Sequence, residues 1–165
     1  TGEYRKRRED TEQALALLGK SSWRDVSLAD LRNHGGRLPG VLQRRARHVV
    51  TEISRTREAA EELRTGHHAT LGPLMAASHR SLRDDFEVSC AELDLLVQLA
   101  GDIGPAGGIL GSRMTGGGFG GSTVTLCNSR QLPEIADRMS AGYERETGRV
   151  PQLFSTRPTD GARLL

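Results

Sequence analysis

The sequence predicts an α+β domain in which helices outnumber strands. Several segments repeat apolar residues at alternating steps of three and four, which is the period of one helix face. A β-branched alternation follows at residues 123–126, and a second extended segment lies at 150–156. With 165 residues and 17.9 kDa, the chain has the size of one domain that buries its own core. We therefore expect six or so helices and three or four strands in a single domain, residues 1–165.

The first half of the chain is predicted to be helical. A short helix ends near Leu18, where Gly19 follows as a stop signal. Ser27 and Asp30 have the spacing of an N-terminal cap, so a second short helix begins there. A long helix covers residues 41–65. Its predicted buried face carries Leu42, Ala46, Val49, Ile53, Thr56, Ala60 and Leu63, and its predicted solvent face carries Arg44, Arg45, Arg47, Glu52, Arg55, Arg57, Glu58, Glu61 and Glu62.

Two more helices follow before the sequence becomes rich in glycine. The first, through residues 71–82, is expected to pair antiparallel with the long helix, because only a short turn separates them. The second begins at a capping box, with Ser89 as the N-cap and Glu92 three residues later. Val88 and Leu93 are placed to form a hydrophobic staple around that helix start.

The last third of the chain is predicted to combine strands with one helix. The alternation at residues 123–126 predicts a strand, and the helix after it ends near Gly148. Residues 150–156 are predicted to form a final strand. Pro158 places that strand at a sheet edge, because proline cannot donate to a neighbouring strand.

The charge balance and the composition exclude several classes of protein. Lys and Arg total 23 against 21 Asp and Glu, so the net charge of +2 argues against a protein that coats nucleic acid. No apolar run approaches the roughly 18 residues of a membrane span, and no leader pattern opens the chain. Cys90 and Cys127 are too few for a disulfide framework or a zinc cluster. We expect a cytoplasmic protein without nucleic acid, membrane or metal ligands of its own.

A glycine-rich segment is the strongest candidate site. Ten of the 20 glycines lie between residues 101 and 121, together with apolar Ile109, Leu110, Met114 and Phe119. A flexible linker has no use for such side chains, so a packed loop is favoured. Its N–H groups could form a nest for phosphate, but a tight connection between strands explains the glycines equally well. The pattern fits neither a Walker A loop nor a dinucleotide fingerprint.

A polar segment before the capping box contains residues that catalysis could use. His79 with Asp84 or Asp85 could form a base and its orienting carboxylate. Pairing of Arg80 with Asp84 along one helix face is the simpler interpretation, and we favour it.

The remaining histidines and cysteines have structural explanations. His67 and His68 are adjacent rather than four residues apart, which is typical of a solvated connector and not of a helical metal site. Cys90 falls in the first turn of the capped helix, where a thiolate is favoured. No histidine is placed beside it by the sequence, so we expect a buried structural thiol.

Three segments resemble signature motifs of the galactokinase family, within the GHMP superfamily of small-molecule kinases. Residues 111–121, which read GSRMTGGGFGG, resemble the third family motif. Residues 78–90, which read SHRSLRDDFEVSC, and residues 44–50, which read RRARHVV, are similar to galactokinase-specific segments. The resemblance runs from residues 4–8 to Gly161 and Ala162. One departure is Ser122, where the family usually has cysteine.

The resemblance implies a fold and a reaction. It identifies the chain as the C-terminal portion of a galactokinase, a ferredoxin-like α+β sandwich with additional helices. The family transfers the γ-phosphoryl group of ATP to the C1 hydroxyl of α-D-galactose with Mg²⁺, chemistry that depends on positioning and charge stabilisation. The sugar signature, the phosphate loop and the catalytic aspartate belong to the N-terminal half of the family and do not appear in this sequence. The resemblance therefore implies no catalytic residue and no metal ligand here, and no activity without that half.

The resemblance also marks two elements of a binding site. Tyr4 matches a family tyrosine that lies against the galactose hydroxyls, where a phenol can form hydrogen bonds. The nucleotide and phosphate end of the cleft is matched by Gly116, Gly117, Gly118, Phe119, Gly120 and Gly121. An ordinary surface tyrosine near a chain end is the alternative for Tyr4.

Two other functions share the same motifs. A non-catalytic galactokinase-like sensor of galactose and ATP would look alike in this region, and so would a kinase for N-acetylgalactosamine or arabinose. Both differ from galactokinase mainly in the half that is absent. We also expect a separated lobe to expose the face that the other half covers, which favours dimerisation.

Overall fold

Residues 2–158, the part of the chain that the computed structural model describes, contain six α-helices, four three-residue 3-10 helices and one β-hairpin. The elements in chain order are α1 (Gly2–Leu17), α2 (Leu28–His34), α3 (Gly40–Thr65), α4 (Leu71–Asp84), α5 (Ala91–Ile103), β1 (Ile109–Thr115), β2 (Ser122–Cys127) and α6 (Leu132–Thr147). The predicted α+β class, dominated by helices, is confirmed. Gly161 and Ala162 lie outside the described residues.

Three predicted helix boundaries are confirmed, at Ser27, Gly66 and Gly148. At the start of α2, the Ser27 Oγ accepts from the Asp30 N–H at 3.1 Å, and the Asp30 carboxylate accepts from the Ser27 N–H at 2.8 Å. This reciprocal pair satisfies two backbone donors that the helix leaves free. Gly66 and Gly148 end α3 and α6.

Helices α3 and α4 pack antiparallel, as predicted. The Thr70 hydroxyl, just before α4, donates to Glu62 of α3 at 2.8 Å. Two turns further along α4, the Ser78 hydroxyl donates to Glu52 at 2.7 Å. Residue numbers rise along α4 as they fall along α3, which is the arrangement of a helical hairpin.

The sheet is an antiparallel pair that packs against α4 and α5. In its register Ile109 lies opposite Cys127 and Thr115 opposite Ser122, with an irregularity between Ile109 and Gly111. On the α4 side, a side chain at Gly72 would overlap the Leu110 carbonyl. Glycine is required there because helix and strand backbones touch.

The prediction of three or four strands is wrong for the described residues, which contain two. Residues 150–158 form no strand, and Val150 and Phe154 are 69% and 85% exposed. An extended segment becomes a strand only when a neighbour accepts its backbone hydrogen bonds, and none does so within residues 2–158. Conversely, residues 109–115 belong to the glycine-rich segment that predicts a loop, yet they form β1, in which Ile109 and Met114 are buried.

The apolar face of α3 differs from the prediction in its second half. Leu42 and Ala46 are buried against α1 and α2, but Thr56, Ala60 and Leu63 are exposed. Arg45, predicted to face solvent, is only 2% exposed. The periodicity locates an apolar stripe, but it does not indicate which part of the stripe the rest of the chain covers.

Helix α5 begins one residue later than predicted. Cys90 is its N-cap, and the Ser89 hydroxyl donates to the Asp94 carboxylate at 2.6 Å instead of capping the helix. The capping-box prediction is therefore wrong for Ser89. Val88 and Leu93 are both buried in one cluster, in agreement with the predicted staple contact.

Three apolar clusters form the core, and β1 contributes to two of them. One joins α1 to α3, one joins the end of α4 to α5 and β1, and one joins α5 and β1 to α6. Their buried members are Ala14, Leu38, Leu42 and Ala46; Leu82, Val88, Leu93 and Met114; and Ala100, Ile103, Ile109, Ile135 and Met139. The central position of β1 fixes the hairpin loop that follows it.

Candidate functional site

The glycine loop, defined as residues 116–121, is the connection of the β-hairpin. It leaves β1 at Thr115 and enters β2 at Ser122. The Phe119 N–H donates to the Val88 carbonyl at 2.7 Å, which anchors the loop to the segment between α4 and α5. Phe119 has a φ of +59°, which is uncommon for a residue with a side chain.

The glycines of the loop differ in what their surroundings require. Gly118 has a φ of +83°, and a Cβ there would lie 2.7 Å from the Val88 Cβ and would also overlap the Val88 carbonyl oxygen. Packing therefore excludes side chains at Gly118. Gly117 does not have a positive φ, and a Cβ at this position would have no atom of residues 2–158 within 4 Å. Close packing against Val88 therefore explains the glycine at 118, whereas no contact within residues 2–158 requires the one at 117.

Tyr4 lies in the first turn of α1 and is 59% exposed. It borders a cavity of about 190 Å³ that Arg7, Trp23, Val49 and Phe86 also line. The phenol is therefore open to a ligand, as the resemblance requires. Whether it touches a sugar stays a prediction.

The 85–88 turn, defined as the four residues from Asp85 to Val88, connects α1, α3 and the glycine loop. Its four successive carbonyls each accept a hydrogen bond from a distant residue. Arg45 donates to the carbonyl of residue 85, Arg7 donates to those of residues 86 and 87, and Phe119 donates to that of residue 88. Helix α1, which carries Tyr4, and the glycine loop lie far apart in the sequence and are thus bound to one turn.

Arg45 is the most deeply buried cation of the described chain. Its Nη2 donates to Glu87 at 2.6 Å, and its Nε lies 3.5 Å from the buried Asp10 carboxylate. Arg44 donates to the other Glu87 oxygen at 2.6 Å, but its side chain is only half-buried. The hydrogen bonds from Arg45 and Arg44 hold the pKa of Glu87 below its usual range. Sequence reasoning missed this cluster because an arginine on a polar helix face is normally solvated.

His79 has different partners from those predicted. Its Nδ1 accepts from the Met114 N–H at 3.2 Å, and its Nε2 lies 3.1 Å from Asp94. Burial lowers the pKa of His79, so the ring is neutral and links α4 to β1 and α5. Neither Asp84 nor Asp85 orients it.

The predicted pair of Arg80 and Asp84 is also wrong. Asp84 is instead bound by its neighbour Arg83, whose Nε donates to it at 2.7 Å. His67 and His68 are exposed, as a solvated connector requires, although His67 lies 3.5 Å from Glu62, an acidic neighbour that the spacing does not predict.

A second, larger cavity of about 450 Å³ lies along α3 beside the first. His48, Glu52, Ile53 and Phe86 are among its lining residues. The rings of His48 and Phe86 stack with centroids 4.3 Å apart, and the His48 Nδ1 lies 3.0 Å from the Ser81 hydroxyl. Burial of the imidazole lowers the pKa of His48 to about 4.

This low pKa predicts a loss of stability in mild acid. The unfolded state binds the proton near pH 6.5, whereas the folded state resists it down to about pH 4. The contribution of His48 is complete above pH 6.5 and is lost as the pH falls toward 4. Urea unfolding should give a free energy of unfolding that is about 2 kcal/mol lower at pH 5 than at pH 7. In His48→Asn most of this difference between the two pH values should disappear. If the free energy of unfolding of His48→Asn falls as much between pH 7 and pH 5 as that of the unchanged chain, His48 is not the source of the pH dependence.

The described residues hold no cluster of three or more His, Cys, Asp or Glu that could bind a metal ion. None of the helices within residues 2–158 is long and apolar enough to cross a membrane. Cys90 and Cys127 are both free thiols and partly buried.

Comparisons with known proteins agree on one family. The model of the family described as GHMP kinases C terminal matches residues 59–145. The chain is 44% identical over 165 residues to galactokinases of Bos taurus and Homo sapiens, and 48% identical over 155 residues to that of Chloroflexus aggregans. The matches to the two mammalian proteins cover the whole of this chain but only 40% of each relative's length. The match to the Chloroflexus protein covers 91% of this chain and 39% of that relative.

Comparison with solved structures leads to the same family. The crystal structure of Lactococcus lactis galactokinase complexed with galactose superposes with a TM-score of 0.85 at 32% identity. That match covers 91% of this chain and 39% of the Lactococcus chain. The GHMP kinase C-terminal fold expected from the resemblance is therefore confirmed, with a two-stranded antiparallel sheet within residues 2–158.

Proposed function

The chain belongs to the GHMP kinase C-terminal family, and from this premise we propose that it is the C-terminal part of a galactokinase. The reaction is transfer of the γ-phosphoryl group of ATP to the C1 hydroxyl of α-D-galactose. The observation that supports this proposal best is the identity of 44–48% to three galactokinases, which extends over the whole chain for two of them and over 91% of it for the third.

The geometry supports two roles within that reaction. Tyr4 presents an open phenol, which would exchange hydrogen bonds with the sugar hydroxyls. The glycine loop would present backbone N–H groups to phosphate oxygens, and Gly117 supports this because packing does not require a glycine there. The residues proposed for the phosphate end are Gly116, Gly117, Gly118, Phe119, Gly120 and Gly121.

We assign phosphoryl-transfer chemistry to the part of the enzyme that lies outside this chain. Mg²⁺ would likewise be bound mainly by that part, because the described residues hold no group of three or more His, Cys, Asp or Glu that could bind a metal ion. ATP binding, which the glycine loop would share, depends mainly on the same absent part. Both free thiols fit the reducing environment of the cytoplasm, where we place the enzyme.

The exposed apolar residues in the second half of α3 indicate a surface that another lobe of the enzyme would cover. Thr56, Ala60 and Leu63 continue a buried stripe into solvent, and Leu63 is 56% exposed. We infer that the N-terminal lobe covers this surface in the complete enzyme. In the separated chain the same surface would favour dimerisation.

The test is ADP release from ATP with galactose, using the full-length polypeptide and the 165-residue chain alone. We expect turnover by the first and none by the second. N-acetylgalactosamine and arabinose serve as competing substrates, and faster turnover of either would reject galactokinase. Galactose binding without ADP release by the full-length protein would favour the sensor.

Tyr4→Phe tests the sugar contact in the same assay. Removal of one hydrogen bond to a neutral hydroxyl should raise KM for galactose roughly three- to tenfold and leave KM for ATP unchanged. Tyr143→Phe, at the chain's other tyrosine in α6, is the matched control. An unchanged KM for galactose would remove Tyr4 from the site.

A further inference from the structure

Arg7 of α1 reaches from the helix of Tyr4 to the 85–88 turn. The residue is 7% exposed, although it lies on a charged helix. Its Nε donates to the Phe86 carbonyl at 2.7 Å, and its Nη2 donates to the Glu87 carbonyl at 2.9 Å. Two donors of one planar guanidinium fix orientation as well as distance, which a lysine cannot do.

The glycine loop is attached to the same turn from the other side. The Val88 carbonyl accepts from the Phe119 N–H, and the Phe119 ring lies with its centroid 5.5 Å from the Arg7 guanidinium. A cation at this distance is attracted to the face of the ring. Arg7 therefore touches the loop directly and also holds the turn to which the loop is bound.

The backbone at both contacts needs external support. Glu87 and Phe119 are the two non-glycine residues with positive φ within residues 2–158, at +54° and +59°. Such conformations persist only where neighbouring contacts impose them. Arg7 supplies a contact to each: a hydrogen bond to the Glu87 carbonyl, and its charge over the Phe119 ring.

We propose that Arg7 is a positioning residue that couples the sugar end of the site, at Tyr4, to the phosphate end, at the glycine loop. A shift of α1 then moves the loop as well. The inference rests on the proposed function for what the two ends bind, but the coupling belongs to this chain and can be measured without substrate.

The first measurement is hydrogen exchange of the Phe119 amide in the 165-residue chain. Arg7→Lys keeps the charge and loses the double hydrogen bond, so exchange at Phe119 should become at least tenfold faster while α6 amides keep their rates. Arg5→Lys is the matched control, because Arg5 is an exposed arginine of the same helix.

The second measurement is steady-state kinetics of the full-length polypeptide. Arg7→Lys should raise KM for galactose and KM for ATP at least threefold each, whereas Arg5→Lys leaves both unchanged. A merely structural role would lower the amount of active enzyme without changing either KM. If Arg7→Lys does not fold, Phe119→Leu takes its place. This change lies in the glycine loop, so a higher KM for galactose would show that the loop and the sugar end are coupled.

The outcomes separate the two proposals. Unchanged Phe119 exchange together with unchanged KM values in Arg7→Lys would overturn the coupling. Faster Phe119 exchange in a protein that does not phosphorylate galactose would overturn the proposed function and support the coupling.

Discussion

Replacement of Gly118 by valine should abolish galactose phosphorylation by the full-length polypeptide. The new Cβ would lie 2.7 Å from the Val88 Cβ and overlap the Val88 carbonyl, so the loop has to leave the 85–88 turn. Valine also strongly disfavours the φ of +83° at this position. We expect turnover to fall at least a hundredfold, because the hydrogen bond from Phe119 to the turn is lost together with the loop conformation.

Two other glycine variants show whether the loss is specific to the site. Gly36→Val is the matched control, since Gly36 is exposed, has an ordinary φ and has no atom within 4 Å of its Cβ position. Gly117→Ala should fold normally and yet lower turnover, because its Cβ would occupy space that the proposal reserves for phosphate. Wild-type turnover in Gly118→Val would remove the loop from the mechanism.

Arg45→Met should destabilise the domain by about 3–5 kcal/mol. Methionine has a similar volume, but it removes the cation beside the buried Oδ2 of Asp10 and leaves only Lys6, whose Nζ lies 3.8 Å from the other carboxylate oxygen. The Asp85 carbonyl and one Glu87 oxygen also lose their donor. A domain of this size is typically stable by about 5–15 kcal/mol, so the loss is a large part of the total. Urea unfolding at pH 7 measures it.

Arg44→Met is the matched control for that measurement. Arg44 and Arg45 are neighbours, and each binds one oxygen of Glu87 at 2.6 Å. Because the Arg44 side chain is 36% exposed, against 2% for Arg45, water replaces its contact, and we expect a loss below about 1 kcal/mol. Equal losses in the two variants would show that burial of Arg45 does not determine its contribution.

Sequence reasoning predicted the elements whose signals are local. The end of α1 just before Gly19, the cap of α2 at Ser27 and the hairpin of α3 with α4 all follow from residues a few positions apart. The glycine loop and the family were predicted for the same reason, since the motif that carries them is continuous. Tyr4 rests on the family resemblance and not on any pattern around it.

The errors arose where distant residues decide the outcome. Arg45 was predicted to face solvent, but Asp10 and Glu87, which belong to other parts of the chain, bind it in the interior. Ser89 had the spacing of a cap, but the Asp94 carboxylate takes its hydroxyl. Residues 150–156 had the composition of a strand, which requires a partner strand that residues 2–158 do not supply.

The hydrogen bonds of the 85–88 turn also bear on the order of folding. They join residues 40, 79 and 80 positions apart, and the one from Phe119 to Val88 spans 119 − 88 = 31 positions. Chain-closure entropy opposes such contacts until most of the domain has assembled. Arg7→Lys should therefore accelerate unfolding and leave the refolding rate nearly unchanged in stopped-flow experiments. We therefore expect the 85–88 turn to form late in folding, when α1, α3 and the hairpin are already in place.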